Sequence, residues 1–253
     1  MDVNELKLNH DKTEIMPIYS KYHTRPLFNY FSIGNERLTT TVNARSLGLV
    51  LDDHMLFDVH GSDICRSSFN QLRNFSKIRK YLTRESSEIA VHAFKTSKLD
   101  YCNSLLYGCS KMQLKKLQYL QNTAARIVTQ TRKFDHITPV LFDLHWLPVS
   151  CRIVFKILLR VFKSLNNLFP TYLANRMSYQ SHSRDLRSAS KQLLDQRRSI
   201  TKTYGDKAFS VCAHKLWNSL PLDSRKSPSL TGFKKELKTY LFRQFLESGS
   251  LFL

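Results

Sequence analysis

The sequence predicts a mainly α-helical protein with a small α/β piece at its N-terminus, and three observations carry that prediction. Only 7 glycines occur among 253 residues, against about 7% in an average protein, which argues against glycine-rich barrels, phosphate loops and many-stranded sandwiches. From Gly61 onward apolar residues recur three and four positions apart, the period of a helix. Hydrophobic residues make up 42% and charged residues 23%, enough apolar side chain for one or two domains with cores of their own.

Residues 1–60 read as mixed α/β. A short polar helix is expected over 3–8, ending at Asn9-His10-Asp11. Residues 13–19 alternate loosely like a strand, while Pro26 and Gly34-Asn35 mark turns. Residues 37–42 and 47–51 look like two more strands, the second a continuous apolar run suited to burial. Three short strands and one helix leave sheet edges and a face uncovered, which points to a missing partner segment upstream.

Residues 61–177 form a helical region. Ile64, Cys65, Phe69, Leu72, Phe75 and Ile78 make one face, with Arg73, Lys77 and Lys80 on another. Thr83 is placed to cap a second helix, with Glu85 and Glu88 in its first turns where the helix dipole favours negative charge, and this helix is expected to run to about Asp100. A third helix over Lys111–Thr129 buries Leu114, Leu117, Leu120, Ala124, Ile127 and Val128 and turns Lys111, Lys115, Asn122 and Arg126 outward. Pro139 and Pro148 bracket a short segment, and 152–168 is the most amphipathic stretch of all. There Val154, Ile157, Leu158, Val161 and Leu165 oppose a basic stripe of Arg152, Lys156, Arg160 and Lys163. Residues 178–200 are Ser/Arg-rich and read as a basic linker that includes Arg197 and Arg198. In the C-terminal helical segment, 201–253, Ser227-Pro228-Ser229 opens a last helix that buries Phe233, Leu237, Tyr240, Leu241 and Phe245.

Charge is distributed unevenly. Lysine and arginine total 39 against 20 aspartates and glutamates, for a formal charge of +19. Residues 1–60 hold six basic and eight acidic side chains, net −2, and residues 61–253 hold 33 and 12, net +21. Cations at i, i+4 spacing on several helices can meet successive phosphates of a nucleic-acid backbone, each contact releasing condensed counterion. A single such stripe is ordinarily a solvated helix face. Three of them, with charge of this size repelling itself, favour RNA or DNA as the partner. No apolar run approaches the ~20 residues that span a bilayer, and Met1-Asp2-Val3-Asn4-Glu5 lacks the features of a secretion signal. An intracellular protein of nucleus or cytoplasm, with no membrane partner, is expected.

Sites for chemistry are sparse. The five cysteines are odd in number and widely spaced, without a Cys-x-x-Cys, so they read as reduced thiols, mostly buried. Cys102, Cys109 and His92 match no zinc spacing. Asp52 and Asp53 follow an apolar run as paired carboxylates do in polymerases, but no third carboxylate has a comparable context, so a strand end turning into a loop is the favoured reading. Trp146 and Trp217, each beside a leucine-proline pair, read as core anchors.

Several phrases occur together in order: Leu6-Lys7-Leu8-Asn9-His10-Asp11-Lys12-Thr13-Glu14, Ser46-Leu47-Gly48-Leu49-Val50-Leu51-Asp52 and Leu99-Asp100-Tyr101-Cys102-Asn103-Ser104-Leu105-Leu106-Tyr107-Gly108. Beyond them lie His136-Ile137-Thr138-Pro139-Val140-Leu141, Leu144-His145-Trp146-Leu147-Pro148-Val149 and Trp217-Asn218-Ser219-Leu220-Pro221. With this set the chain resembles the C-terminal part of the reverse transcriptase, an RNA-directed DNA polymerase, of non-LTR (LINE-type) retrotransposons of the jockey-like superfamily. The resemblance implies an end-of-palm remnant with primer-grip-like strands, followed by thumb and post-thumb helices.

It also implies that the family's metal-binding aspartates, fingers and any endonuclease precede Met1, that Asp52 and Asp53 do not replace those aspartates, and that Lys12 matches a palm-motif lysine tied to pyrophosphate departure. Without the aspartates neither magnesium binding nor catalysis is expected of this chain, and no catalytic residue is assigned beyond Lys12 as a candidate. Backbone contact through Arg73, Lys77, Lys80, Lys111, Lys115, Arg126, Arg152, Lys156, Arg160, Lys163, Arg197 and Arg198 is the function expected to survive. Two alternatives stay open: a helical interaction protein, and an active polymerase completed by a missing palm and fingers polypeptide.

Overall fold

A computed structural model of the protein describes residues 9, 12–24, 26, 28–33, 36–180 and 191–248. The helix expected over 3–8 lies outside them. The chain divides into two compact units, residues 1–67 and 68–253, a boundary a few residues beyond the change of period at 61.

The first unit is built on two antiparallel hairpins. Strands β1 (Tyr30–Ile33) and β2 (Glu36–Thr39) pair with Ile33 opposite Glu36, and β3 (Asn43–Ser46) and β4 (Leu49–Asp52) pair with Ser46 opposite Leu49. The second hairpin turns through Leu47 and Gly48, both at positive φ (48° and 81°), the mirror-image turn that suits the twist of a two-residue hairpin. The strand expected over 47–51 therefore starts two residues later. Residues 13–19 make no strand. They touch the rest of the unit at separated points, with the Thr41 N–H donating to Ile15 O (2.8 Å) and the Tyr19 N–H to Asp53 O (3.1 Å), and Pro17 between them offers no donor.

Helix α1 (Asp58–Ile78) begins in the first unit and ends in the second. Leu72 and Phe75 are buried on its inner face, whereas Ile78 is 51% exposed. The helix passes there into a short 3₁₀ turn, Arg79–Tyr81, and the change of period turns Ile78 outward. Helix α2 (Arg84–Val91) starts at Thr83, whose hydroxyl accepts the Ser86 N–H (3.1 Å). It does not run on unbroken to Asp100: a π turn at His92–Thr96 separates it from α3 (Ser97–Asp100).

Helix α4 (Lys111–Thr129) has the expected bounds. Ser110 caps it by accepting the Gln113 N–H (3.2 Å), and Gln130, in a left-handed conformation, ends it. After α5 (Ile137–Asp143) comes α6 (Val149–Leu165), which packs against α4, against the 3₁₀ turn Asn103–Leu106, and against α7 (Thr171–Ala174), α8 (Phe209–Asn218) and α10 (Leu230–Ser248). Ile153, Val154, Ile157, Leu158, Val161 and Phe162 are all buried on it. A short α9 (Leu222–Arg225) precedes α10.

Part of the expected linker is pinned to the core. The Asn218 side-chain amide bonds the Leu194 backbone on both sides, accepting its N–H and donating to its carbonyl at 2.8 Å each, and the Trp217 indole N–H donates to Gln192 O (3.0 Å). Leu194 is fully buried as a result. Residues 181–190 of that segment lie outside the described residues. On α10, Phe233, Leu237 and Leu241 are buried while Tyr240 and Phe245 stay half-exposed. The Phe233 ring stacks on Phe162 (centroids 4.3 Å apart) and tilts against Trp217 (6.0 Å).

Replacing Phe233 with alanine removes an aromatic ring shared by three helices and is expected to cost about 3–5 kcal/mol of unfolding free energy in urea titration. The exposed Ile78→Ala should stay within about 0.5 kcal/mol of the parent protein.

Candidate nucleic-acid interface

The cations singled out from the sequence separate into two groups by what surrounds them. Arg73 and Lys77 on the last turns of α1, and Lys80 just beyond, are all exposed, with the Lys80 ammonium 4.8 Å from the Tyr81 ring centroid. Lys111 and Lys115 on the first turns of α4 are also exposed, as are Arg197 and Arg198. Among the described residues none of these seven has a carboxylate within ion-pair distance.

The second group is tied into the fold. Arg152 makes a two-pronged bond to Asp100, Nε to Oδ1 at 2.9 Å and Nη2 to Oδ2 at 2.5 Å, and Arg160 donates to the Ser104 hydroxyl. Together they fasten α6 to the end of α3 and to the 3₁₀ turn after it. Arg126 donates to Asp135 O (2.7 Å) and holds the loop after α4. Lys163 is half-buried in the last turn of α6, where the helix dipole favours a cation. Lys156 is half-buried as well.

Sequence reasoning missed several basic groups. Arg79 is buried and lies along the C-terminus of α4, its Nε donating to Ile127 O and Val128 O (3.1 Å each) and its Nη2 to Val128 O (2.6 Å), while Nη1 bonds Leu82 O (2.6 Å). These are carbonyls that a helix end leaves without partners. Nothing in the spacing of Arg79 separates it from Arg73, Lys77 and Lys80. Lys116 adds an exposed cation to α4, and Lys133 and Phe134 form an exposed basic-aromatic loop tip. Lys234, Lys235 and Lys238 add basic positions at helical spacing to α10, beside its apolar face.

Lys238 is half-buried. It lines a cleft of about 320 Å³ with Lys156, Arg152, Asp100, Phe155 and Trp146. Its pKa is lowered, first by burial and then by the charge of Arg152. His92, also on the cleft, meets the Trp146 indole N–H with Nε2 (3.1 Å).

The paired aspartates do not fit a two-metal site. The Asp52 carboxylate accepts backbone N–H bonds from His54 (3.2 Å), Leu56 (2.8 Å) and Phe57, closing the turn between β4 and α1. Asp53 accepts the Tyr19 hydroxyl (3.0 Å). No group of three or more His, Cys, Asp or Glu residues is placed to hold a metal ion among the described residues. Lys12 is exposed, in a turn where its N–H donates to Asn9 O (3.2 Å). Trp146 and Trp217 are buried, 3% and 1% exposed. All five cysteines are free thiols, and burial pushes Cys151 and Cys212 up to about 12. No described helix is long and apolar enough to cross a membrane.

Compared with protein-family models, with curated proteins and with solved structures, the chain matches none.

Arg152→Gln leaves Asp100 without its charged partner and is expected to cost about 1.5–3 kcal/mol of stability, the scale of a charge-assisted hydrogen bond. Lys111→Gln and Lys115→Gln should each change it by less than about 0.5 kcal/mol, read from the same denaturant curves.

A pH dependence follows from two buried imidazoles. His214 is fully buried on α8, and neither ring nitrogen has a partner in good hydrogen-bond geometry. Burial lowers its pKa, with the Arg197 charge acting in the same direction and looser contacts with the Ser210 and Arg176 backbone, together with Asp195, only partly opposing. His60 is lowered by burial too, partly offset by Asp63. As pH falls below the unfolded value of about 6.5, the unfolded chain takes up these protons before the folded one does. Stability is therefore full above that pH and declines below it, so Tm should drop from pH 7 to pH 5. In His214→Leu the drop should be smaller, whatever the offset between the two proteins at pH 7.

Proposed function

We propose that this chain is the thumb-side part of a non-LTR reverse transcriptase that grips RNA or DNA through the phosphate backbone, without reading sequence and without polymerising by itself. The observation that carries the reading is the exposed set Arg73, Lys77, Lys80, Lys111 and Lys115, with no carboxylate within ion-pair distance among the described residues, in a stretch, residues 61–253, of net charge +21. A folded chain with this excess repels itself, and a polyanion relieves the repulsion. The pairs tying Arg152 and Arg160 to Asp100 and Ser104 support a division of labour, in which α6 holds the helices together and α1 and α4 present the charge. The engagement of Asp52 and Asp53 by backbone N–H groups and Tyr19 supports the absence of phosphoryl transfer from those carboxylates.

A protein partner is a second reading for the first unit only. Its β1–β2 hairpin leaves Tyr30 and Phe31 53% and 55% exposed, and a two-stranded hairpin is marginally stable without further packing.

The test is binding of a mixed-sequence RNA and of duplex DNA across a salt series. The logarithm of affinity should fall steeply and linearly with the logarithm of salt concentration, whatever the sequence. Each of Lys77→Gln and Lys111→Gln should flatten the slope by about 0.7–0.9, the value for one lost phosphate contact. Salt-independent binding would overturn the proposal, and so would magnesium-dependent primer extension by the purified chain.

A further inference from the structure

The cleft between α6, α10 and the segment from the π turn to α3 is distinct from the exposed stripes, because cations from two helices line one half-open space. Its walls carry Arg152, Lys156 and Lys238 against one carboxylate, Asp100. Asp100 and Arg152 are bonded to each other, which leaves the two ammonium groups with no carboxylate partner among the described residues. Among the described lining residues, Arg152, Lys156 and Lys238 against Asp100 leave an excess of two positive charges. The remaining wall is aromatic, from Phe155 and Trp146.

We infer that this cleft is a binding site for a dianionic phosphate group, a phosphomonoester held between Lys156 and Lys238. Several observations lead there. A phosphomonoester carries close to two negative charges at neutral pH and matches the uncompensated pair, whereas a backbone phosphodiester carries one. A volume of about 320 Å³ lies at the lower end of the range for small-molecule pockets, room for a phosphate and one attached ring system. Burial and Arg152 already disfavour the Lys238 cation in the empty protein, a cost that an arriving dianion relieves. The Arg152–Asp100 pair fixes one wall, so that the site is largely preformed.

The same chemistry can come from a free nucleotide or from the 5′-phosphorylated end of a strand. The test measures, at constant ionic strength, binding of AMP and of two eight-residue oligothymidylates, one with a 5′-phosphate and one with a 5′-hydroxyl. The parent protein is compared with Lys156→Gln, Lys238→Gln and Lys111→Gln. Lys238→Gln removes a disfavoured cation and should fold at least as stably as the parent, which thermal unfolding checks first.

Either cleft variant should weaken AMP binding by about 10- to 100-fold, the loss of one charge-assisted contact, while Lys111→Gln leaves it unchanged. A preference for the 5′-phosphorylated oligomer that the cleft variants abolish identifies a strand end as the ligand, and equal binding of the two oligomers identifies a free nucleotide. No AMP binding up to about 10 mM, above the weak millimolar range, would overturn the inference. Equal losses in Lys111→Gln and the cleft variants would overturn it as well. Neither result would touch the salt-dependent binding of long nucleic acid, which is measured separately.

Discussion

The apolar face of α6 is the constraint on which the second unit depends. Ile153, Val154, Ile157, Leu158, Val161 and Phe162 are buried together, and burying six large side chains along one face of a 17-residue helix leaves little of it for solvent. Because the helix is surrounded on several sides, its basic residues meet protein as well as water. A stripe that resembles a binding surface in projection thus becomes a set of internal fastenings, with Arg152 on Asp100 and Arg160 on Ser104. Lys156 lines the cleft that Lys238 borders from α10. The same positions 152, 156, 160 and 163 would be a free cationic face on an isolated helix, so packing decides their role.

Helices α1 and α4 show the complementary outcome. Each buries one face and leaves the other to solvent, so Arg73, Lys77, Lys111 and Lys115 are exposed, with no carboxylate within ion-pair distance among the described residues. Arg79 marks the boundary between the two behaviours. Two residues past Lys77 the guanidinium folds back onto the last carbonyls of α4, and a cation that would have extended the outer stripe instead joins α4 to the 3₁₀ turn after α1. In the first unit Asp52 does similar work with the opposite sign, gathering backbone N–H groups at the entrance to α1. Charged side chains at these chain reversals satisfy backbone groups that regular structure leaves open.

Much of the helical architecture was legible in the sequence, because a period of 3.6 and capping residues are local signals. The bounds of α4, the Thr83 cap and the buried face of α6 follow from them. What was not legible depends on partners far along the chain. Asp100 and Arg152 are 52 residues apart, and Arg79 reaches Val128 across 49, so neither pairing leaves a trace in local spacing. The π turn at His92–Thr96 interrupts a pattern that reads as continuous helix, and Asn218 converts a polar segment into one that docks by its backbone at Leu194. Among the strands, Leu47 belongs to an apolar run by composition and to a turn by backbone conformation. Of the cleft, Arg152 and Lys156 show in the sequence as a stripe, whereas Lys238 shares its helix with Lys234 and Lys235 and nothing in local spacing sets it apart.

The central claim is that the exposed cations of α1 and α4, rather than those of α6, hold a nucleic-acid backbone. Lysine acetylation footprinting with and without a saturating long RNA tests it residue by residue. The account predicts protection of Lys77, Lys80, Lys111 and Lys115, with Lys163 unchanged. Uniform reactivity at those four lysines in both samples, or protection centred on Lys163, would contradict it.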